Sequence, residues 1–179
     1  ISLLLIFIHF SCVNEPLEGD FPQDDGVLNI EEGEFRANVG IGDFSTGFAV
    51  GVLSNTDLLT ITGTVPDTGE SIVLTIENPG VGTFNITAGL GTQNSGVYIE
   101  TNPENPFVSD GTFGVFGQLN ITEFDAQNAT VSGTFSFTGV RVVLDVDGNP
   151  VLDSNGQPTL ETEEITNGIF NKIPYTTED

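Results

Sequence analysis

The sequence predicts an all-β domain: an antiparallel β-sandwich or a flattened meander barrel, carrying one projecting hairpin insertion. Three observations predict it. Apolar and polar residues alternate at period two along many short runs, and no stretch repeats its apolar residues at helical spacing. Turn residues punctuate those runs about every ten positions, the rhythm of sandwiches and barrels. Composition points the same way, with 14 Phe and 22 Gly but no Met and no Trp.

The first segment stands outside that pattern. Residues Ile1 to Phe10 read ISLLLIFIHF, too short for a bilayer span and the length of a signal-peptide hydrophobic region. Ser11 and Cys12 follow, and Cys12 is the single cysteine. A small residue before Cys at the end of such a run resembles the lipobox of bacterial lipoproteins. His9 and Phe10 depart from it, standing where a leucine and a small residue are usual. The resemblance implies cleavage before Cys12 and a covalent lipid on its sulfur, with palmitate among the acyl chains. Neither Met nor a basic stretch precedes the apolar run, so residues 1–11 are expected to be a signal peptide lacking its start.

Residues 12–34 are expected to form a tether behind the lipidated Cys12. Positions 13–34 hold eight acids and two prolines, too little apolar surface to offset the entropy of ordering. Like charges extend such a segment and hold a domain away from the bilayer. Glu15, Glu18 and Asp20, close behind Cys12, resemble the surface-export signal of Bacteroidota lipoproteins. The expected address is the outer membrane, facing the surface rather than the periplasm.

From residue 35 to 175 the chain reads as a single β domain. Phe35, Ala37 and Val39 alternate, and Phe48, Val50 and Val52 follow a turn at Gly40-Ile41-Gly42-Asp43. Leu59 with Ile61, and Ile72 with Leu74 and Ile76, give two further runs, the second ending at Asn78-Pro79-Gly80. Phe84 with Ile86 and Val97 with Ile99 come next. Val115, Leu119 and Ile121 precede a turn between Glu123 and Asn128, after which Val131, Phe135 and Phe137 share one face. The tripeptide Gly-Thr-Phe recurs at 82–84, 111–113 and 133–135, and reads as glycine closing a turn or bulge before a new pleat.

A tandem repeat of eight, VLDVDGNP at 143–150 and VLDSNGQP at 151–158, is read as the hairpin insertion, at about 143–160. Its Asp-Gly-Asn and Asn-Gly-Gln segments tolerate the positive φ of tight hairpin turns. Asp145, Asp147, Asn149 and Asp153 offer hard oxygen ligands, so calcium is the one metal to weigh. A calcium loop starting at Asp145 needs Gly where Pro150 stands and a bidentate Glu where Gly156 stands. The expectation is screening of surface charge by cations rather than a defined site.

Charge and composition exclude several functions. Three basic residues, Arg36, Arg141 and Lys172, face 26 acidic ones for a formal charge of −23, a field that repels nucleic acid. The only His is His9, within the expected signal peptide. The domain therefore lacks the residues for Ser-His-Asp or Cys-His catalysis and for an ordinary zinc site. Lys172 admits a Ser-Lys pair without any supporting motif. Carboxylate-pair hydrolysis survives this filter, yet the domain offers no Trp and only Tyr98 and Tyr175 as sugar platforms besides core-patterned Phe. The domain is expected not to be an enzyme and to need no cofactor beyond the lipid on Cys12.

Several segments, in order, resemble a β-rich domain of unknown function in Bacteroidota lipoproteins. They are Phe35-Arg-Ala37, Ile72-Val-Leu-Thr-Ile76 leading to Gly82-Thr-Phe84, and Leu119-Asn-Ile-Thr122. Val131-Ser-Gly-Thr-Phe-Ser-Phe137 and Ile165-Thr-Asn-Gly-Ile-Phe170 complete them. The similarity spans residues 12 to 174, and SGTFSF and TNGIF are its most specific pieces. It implies an address and a fold and supplies no catalytic residues. The expected role is a membrane-tethered, non-catalytic binding module for a glycan, peptide or partner protein. The alternative is a structural or adhesive subunit that assembles through strand edges, with Val27-Leu28-Asn29-Ile30 as a strand to donate.

Overall fold

The computed structural model describes residues 30–88 and 91–178. Eleven strands follow one another: β1 (Phe35–Val39), β2 (Gly42–Thr46), β3 (Ala49–Leu53), β4 (Leu58–Thr64), β5 (Ser71–Glu77) and β6 (Gly82–Ile86). Then come β7 (Ser95–Ile99), β8 (Phe107–Val108), β9 (Gly117–Asp125), β10 (Thr130–Val142) and β11 (Leu160–Thr177). Among the described residues there is no α-helix, and no helix is long and apolar enough to cross a membrane.

The strands make one sheet in the order β2-β1-β11-β3-β4-β5-β7-β8-β10-β9-β6, and β10 also pairs with β11. That extra pairing closes seven strands into a ring, with β1–β2 and β9–β6 appended to it. All pairings are antiparallel except β11 with β3, where Tyr175 lies opposite Gly51. The fold is thus the expected all-β class, as a flattened ring with two wings rather than a clean barrel.

Large apolar side chains from the two flattened walls fill the interior. Phe35, Phe135 and Phe170 form a mutual cluster with ring centroids 5.2 to 6.3 Å apart, within the range where aromatic pairs gain beyond simple burial. Leu59, Ile61, Ile72, Leu74 and Ile76 on β4 and β5 are fully buried, as their strict alternation requires. Glycine makes room at two close approaches. A Cβ on Gly96 would lie 2.6 Å from the Phe137 ring, and one on Gly168 would lie 2.6 Å from the Phe135 ring.

Strand β11 is 18 residues long and holds two bulges. Arg36 pairs with Ile169 and Asn38 with Thr166, while Phe135 pairs with Gly168 and Phe137 with Ile165. One extra residue therefore sits in β11 at Asn167 relative to both neighbours. The second lies at Lys172, because Val131 pairs with Ile173 and Gly133 with Phe170. Asn167 and Lys172 have φ of 50° and 48°, and the Lys172 N–H donates to Ser132 Oγ at 2.9 Å. The bulges reset the pleat, so Ile165, Gly168, Phe170, Ile173 and Tyr175 all point inward.

Several sequence expectations need correction. Phe48 and Val50 are 70% and 58% exposed, because Tyr175 packs across β3 and leaves inward room only for Ala49 and Gly51. On β7 the inward residues are Gly96 and Tyr98, not Val97 and Ile99. The turn expected at 40–43 occupies only Gly40-Ile41, and β2 begins at Gly42. Gly111-Thr-Phe113 forms a 3₁₀ turn capped by Asp110 instead of opening a strand.

The insertion emerges from the β10 and β11 ends as two one-turn hairpins bridged at Leu144–Pro150 and Leu152–Pro158. Three residues eight apart knit them together. Val143 N–H donates to Thr159 O, Val151 N–H to Val143 O, and Thr159 N–H to Val151 O, at 2.7 to 2.9 Å.

Gly96→Ala and Gly168→Ala are expected to destabilise by about 1–3 kcal/mol each, the usual cost of overpacking. Gly80→Ala, with open space around its Cβ, should stay within about 0.5 kcal/mol. Phe135→Ala should cost about 3–5 kcal/mol. Urea titration of each variant checks the order.

Candidate functional site

Among the described residues no buried side-chain polar atom lacks a hydrogen-bond partner, and no three His, Cys, Asp or Glu converge as a metal group. The outer face of β6-β9-β10-β11-β1-β2 carries surface hollows. Two adjoining hollows of about 500 and 640 Å³ share Asn167.

Strand register builds the floor of these hollows. One row of outward residues runs Thr83, Asn120, Thr134, Ile169, Arg36, Ser45 through successive cross-strand pairs. A parallel row runs Asn85, Gln118, Ser136, then Thr166-Asn167 at the bulge, then Asn38 and Asp43. Amides and hydroxyls dominate both rows, and ionised groups enter them only on β1 and β2. The bulge aims Asn167 between the two hollows, and its amide donates to Asn38 Oδ1 at 3.3 Å. Asn38 in turn donates to Asp43 Oδ1 at 3.2 Å, and Thr83 donates to Asn120 Oδ1 at 3.2 Å. These bonds fix the amide orientations before any ligand arrives.

The two segments most specific in the sequence meet here. SGTFSF lies on β10 and TNGIF on β11, paired through Thr134–Ile169 and Phe135–Gly168. Their phenylalanines point into the core, whereas Thr134, Ser136, Thr166, Asn167 and Ile169 line the groove. A non-glycine residue in the left-handed region within a strand is uncommon, and such positions cluster at binding sites.

The other residues singled out in the sequence lie elsewhere. Cys12, Glu15, Glu18 and Asp20 fall outside the described residues, as do Val27, Leu28 and Asn29. The Ile30 carbonyl accepts from the Asn171 amide at 3.0 Å. Asp145 and Asp153 occupy equivalent places in the two small hairpins, each folded into its own turn. Asp145 Oδ1 accepts from the N–H groups of Asp147 and Asn149, both at 2.9 Å, and Asp153 Oδ1 from those of Asn155 and Gln157 at 2.8 and 2.9 Å. Donation from Asn149 chiefly lowers the Asp145 pKa, and donation from Gln157 and then Asn155 lowers that of Asp153. All three basic side chains are engaged in ion pairs: Arg36 with Glu34, Arg141 with Glu161 and Glu100, and Lys172 with Glu32.

Compared with known protein families, residues 25–174 match the model of a domain of unknown function, DUF6252. No curated protein and no solved structure matches.

Asn tolerates the left-handed region and β-branched residues do not, so Asn167→Val should cost about 1–2 kcal/mol by thermal unfolding despite its exposure. Thr166→Val, next to it in extended backbone, should be near neutral. The lowered carboxyls of Asp145 and Asp153 stabilise their turns above the unfolded aspartate pKa of about 3.9. That contribution is lost as pH falls through the lowered folded values. NMR titration should show both carboxyls protonating below the ordinary aspartate range, with the Asn149 and Gln157 amides losing exchange protection in the same step.

Proposed function

This chain belongs to the DUF6252 family, and from that premise we propose that it is a lipid-anchored envelope protein acting as a non-catalytic binding module. The observation that carries the binding reading is the groove centred on Asn167. It spends a backbone bulge and a left-handed residue on aiming one amide between two hollows. Rigid strands hold its lining groups in fixed register, as a recognition site requires. The single His and single Cys both lie within the first twelve residues, and neither residue type lines the described hollows.

The anchor rests on sequence. An apolar run ending in Ser11-Cys12, followed by an acidic stretch, supports lipidation of Cys12 in a bacterial, Bacteroidota-type envelope. Glu15, Glu18 and Asp20 support surface export. A second reading is assembly through strand edges. It draws on β2 and β6, which end the described sheet.

Cys12→Ser should move the protein from the membrane to the soluble fraction while leaving the β circular-dichroism signal unchanged. Wild-type protein found soluble, with residues 1–11 retained, would contradict the anchor. For binding, a photo-crosslinking amino acid at Asn85, beside Gln118 on β6, should capture an envelope component in cells, and one at Thr60 on the opposite wall should not. No adduct at Asn85 would sink the binding module.

A further inference from the structure

We propose that the Asn167 groove binds an uncharged, hydroxyl-rich polymer, a neutral glycan strand lying across the sheet. The proposal rests on the binding-module reading and names its ligand class.

Chemistry of the lining comes first. Gln118, Asn120 and Asn167 present amides, each offering a donor and an acceptor side by side, and Thr134 and Ser136 add hydroxyls. A sugar hydroxyl is likewise donor and acceptor, so a row of amides can satisfy it without either partner ionising. Ile169, partly exposed among them, supplies an apolar contact for the C–H face of a sugar ring.

Charge narrows the ligand further. The chain carries −23 overall, so an anionic polymer is repelled at long range. A cationic one would be drawn to the carboxylates of Glu34 and Asp43 in the adjoining hollow rather than to the uncharged lining on β9, β10 and β11. Arg36, the one cation in the rows, is already paired with Glu34 at 3.9 Å, so it adds no net positive site. An extended peptide has better partners in the open backbone edges of β2 and β6. Geometry favours a chain over a single sugar. The uncharged rows on β6, β9, β10 and β11, strands about 4.8 Å apart, give a track roughly 14 Å long.

The test is affinity electrophoresis of the full chain in mild detergent, through gels containing soluble β-glucan, mannan or xylan, with alginate as the anionic control. At least one neutral polysaccharide should retard the protein, and alginate should not. Asn120→Ala and Gln118→Ala should each weaken retardation about tenfold, the loss of one or two hydrogen bonds to the ligand. Thr60→Ala should leave it unchanged, and circular dichroism should show all three variants folded. Retardation by none of the neutral polymers, by alginate alone, or equally in the Asn120→Ala variant would overturn the proposal. If no neutral polymer retarded the protein while the Asn85 crosslinker captured a protein, the binding module would stand and the glycan would fall. Absence of any adduct would remove both.

Discussion

The pairing of β10 with β11 is the constraint on which the rest of the structure depends. It closes the ring of seven strands, carries the β1–β2 wing on one side, and carries the β9–β6 wing on the other. Glycine and phenylalanine make it possible. Phe135 lies across Gly168 on the adjacent strand, and Phe137 crosses the interior to Gly96 on the facing wall. A ring covering a glycine restores the apolar surface that the missing side chain would have buried. Phe35 and Phe170 stack on each other and pack with tilted rings against Phe135, so one aromatic cluster ties β1, β10 and β11 together. Arg141, near the far end of β10, sits 4.0 Å above the Phe107 ring and pairs with Glu161 at 2.9 Å, fastening the ladder where the insertion leaves it.

The groove is a by-product of the same ladder. A strand of 18 residues cannot keep a strict pleat while serving three neighbours, and β11 absorbs the mismatch at Asn167 and Lys172. At Lys172 the freed N–H is taken up internally by Ser132 Oγ, and the bulge is closed on itself. At Asn167 the side chain faces outward into the hollows and bonds to Asn38 across the strand. The two bulges thus have similar backbone and different consequences, and only the one at Asn167 places its side chain in the hollows.

Much of the fold was legible in the sequence, and the failures have a common cause. β1, β4 and β5 alternate cleanly, as does β10 from Gly133 to Gly139, with Phe35, Ile61, Leu74 and Phe137 on the inward side as period two requires. β11 was hidden because its two bulges turn the inward spacing into steps of three and two, from Ile165 to Gly168 to Phe170 to Ile173 to Tyr175. β3 and β7 were read on the wrong face because the inward positions are Ala49, Gly51 and Gly96, whose partners Tyr175 and Phe137 supply the bulk from another strand. Side-chain hydropathy cannot reveal an inward glycine. The groove was half legible: SGTFSF and TNGIF stood out as segments, but their role as facing strands, with amides from β9 and β1 beside them, exists only once register is fixed. In the acidic repeat the carboxylates of Asp145 and Asp153 each cap their own turn.

If the β10–β11 ladder governs the fold, its amides must open only with the whole domain. Native-state hydrogen exchange measures this directly. The amides of Phe135, Phe137, Phe170 and Ile173 should exchange slowest of all, with opening free energies equal to that of global unfolding by urea. β2 and β6, at the sheet ends, should exchange through local fraying well below that value. A ladder that exchanged by local opening while β4 and β5 remained protected would contradict the account, and would place the organising core in the opposite wall.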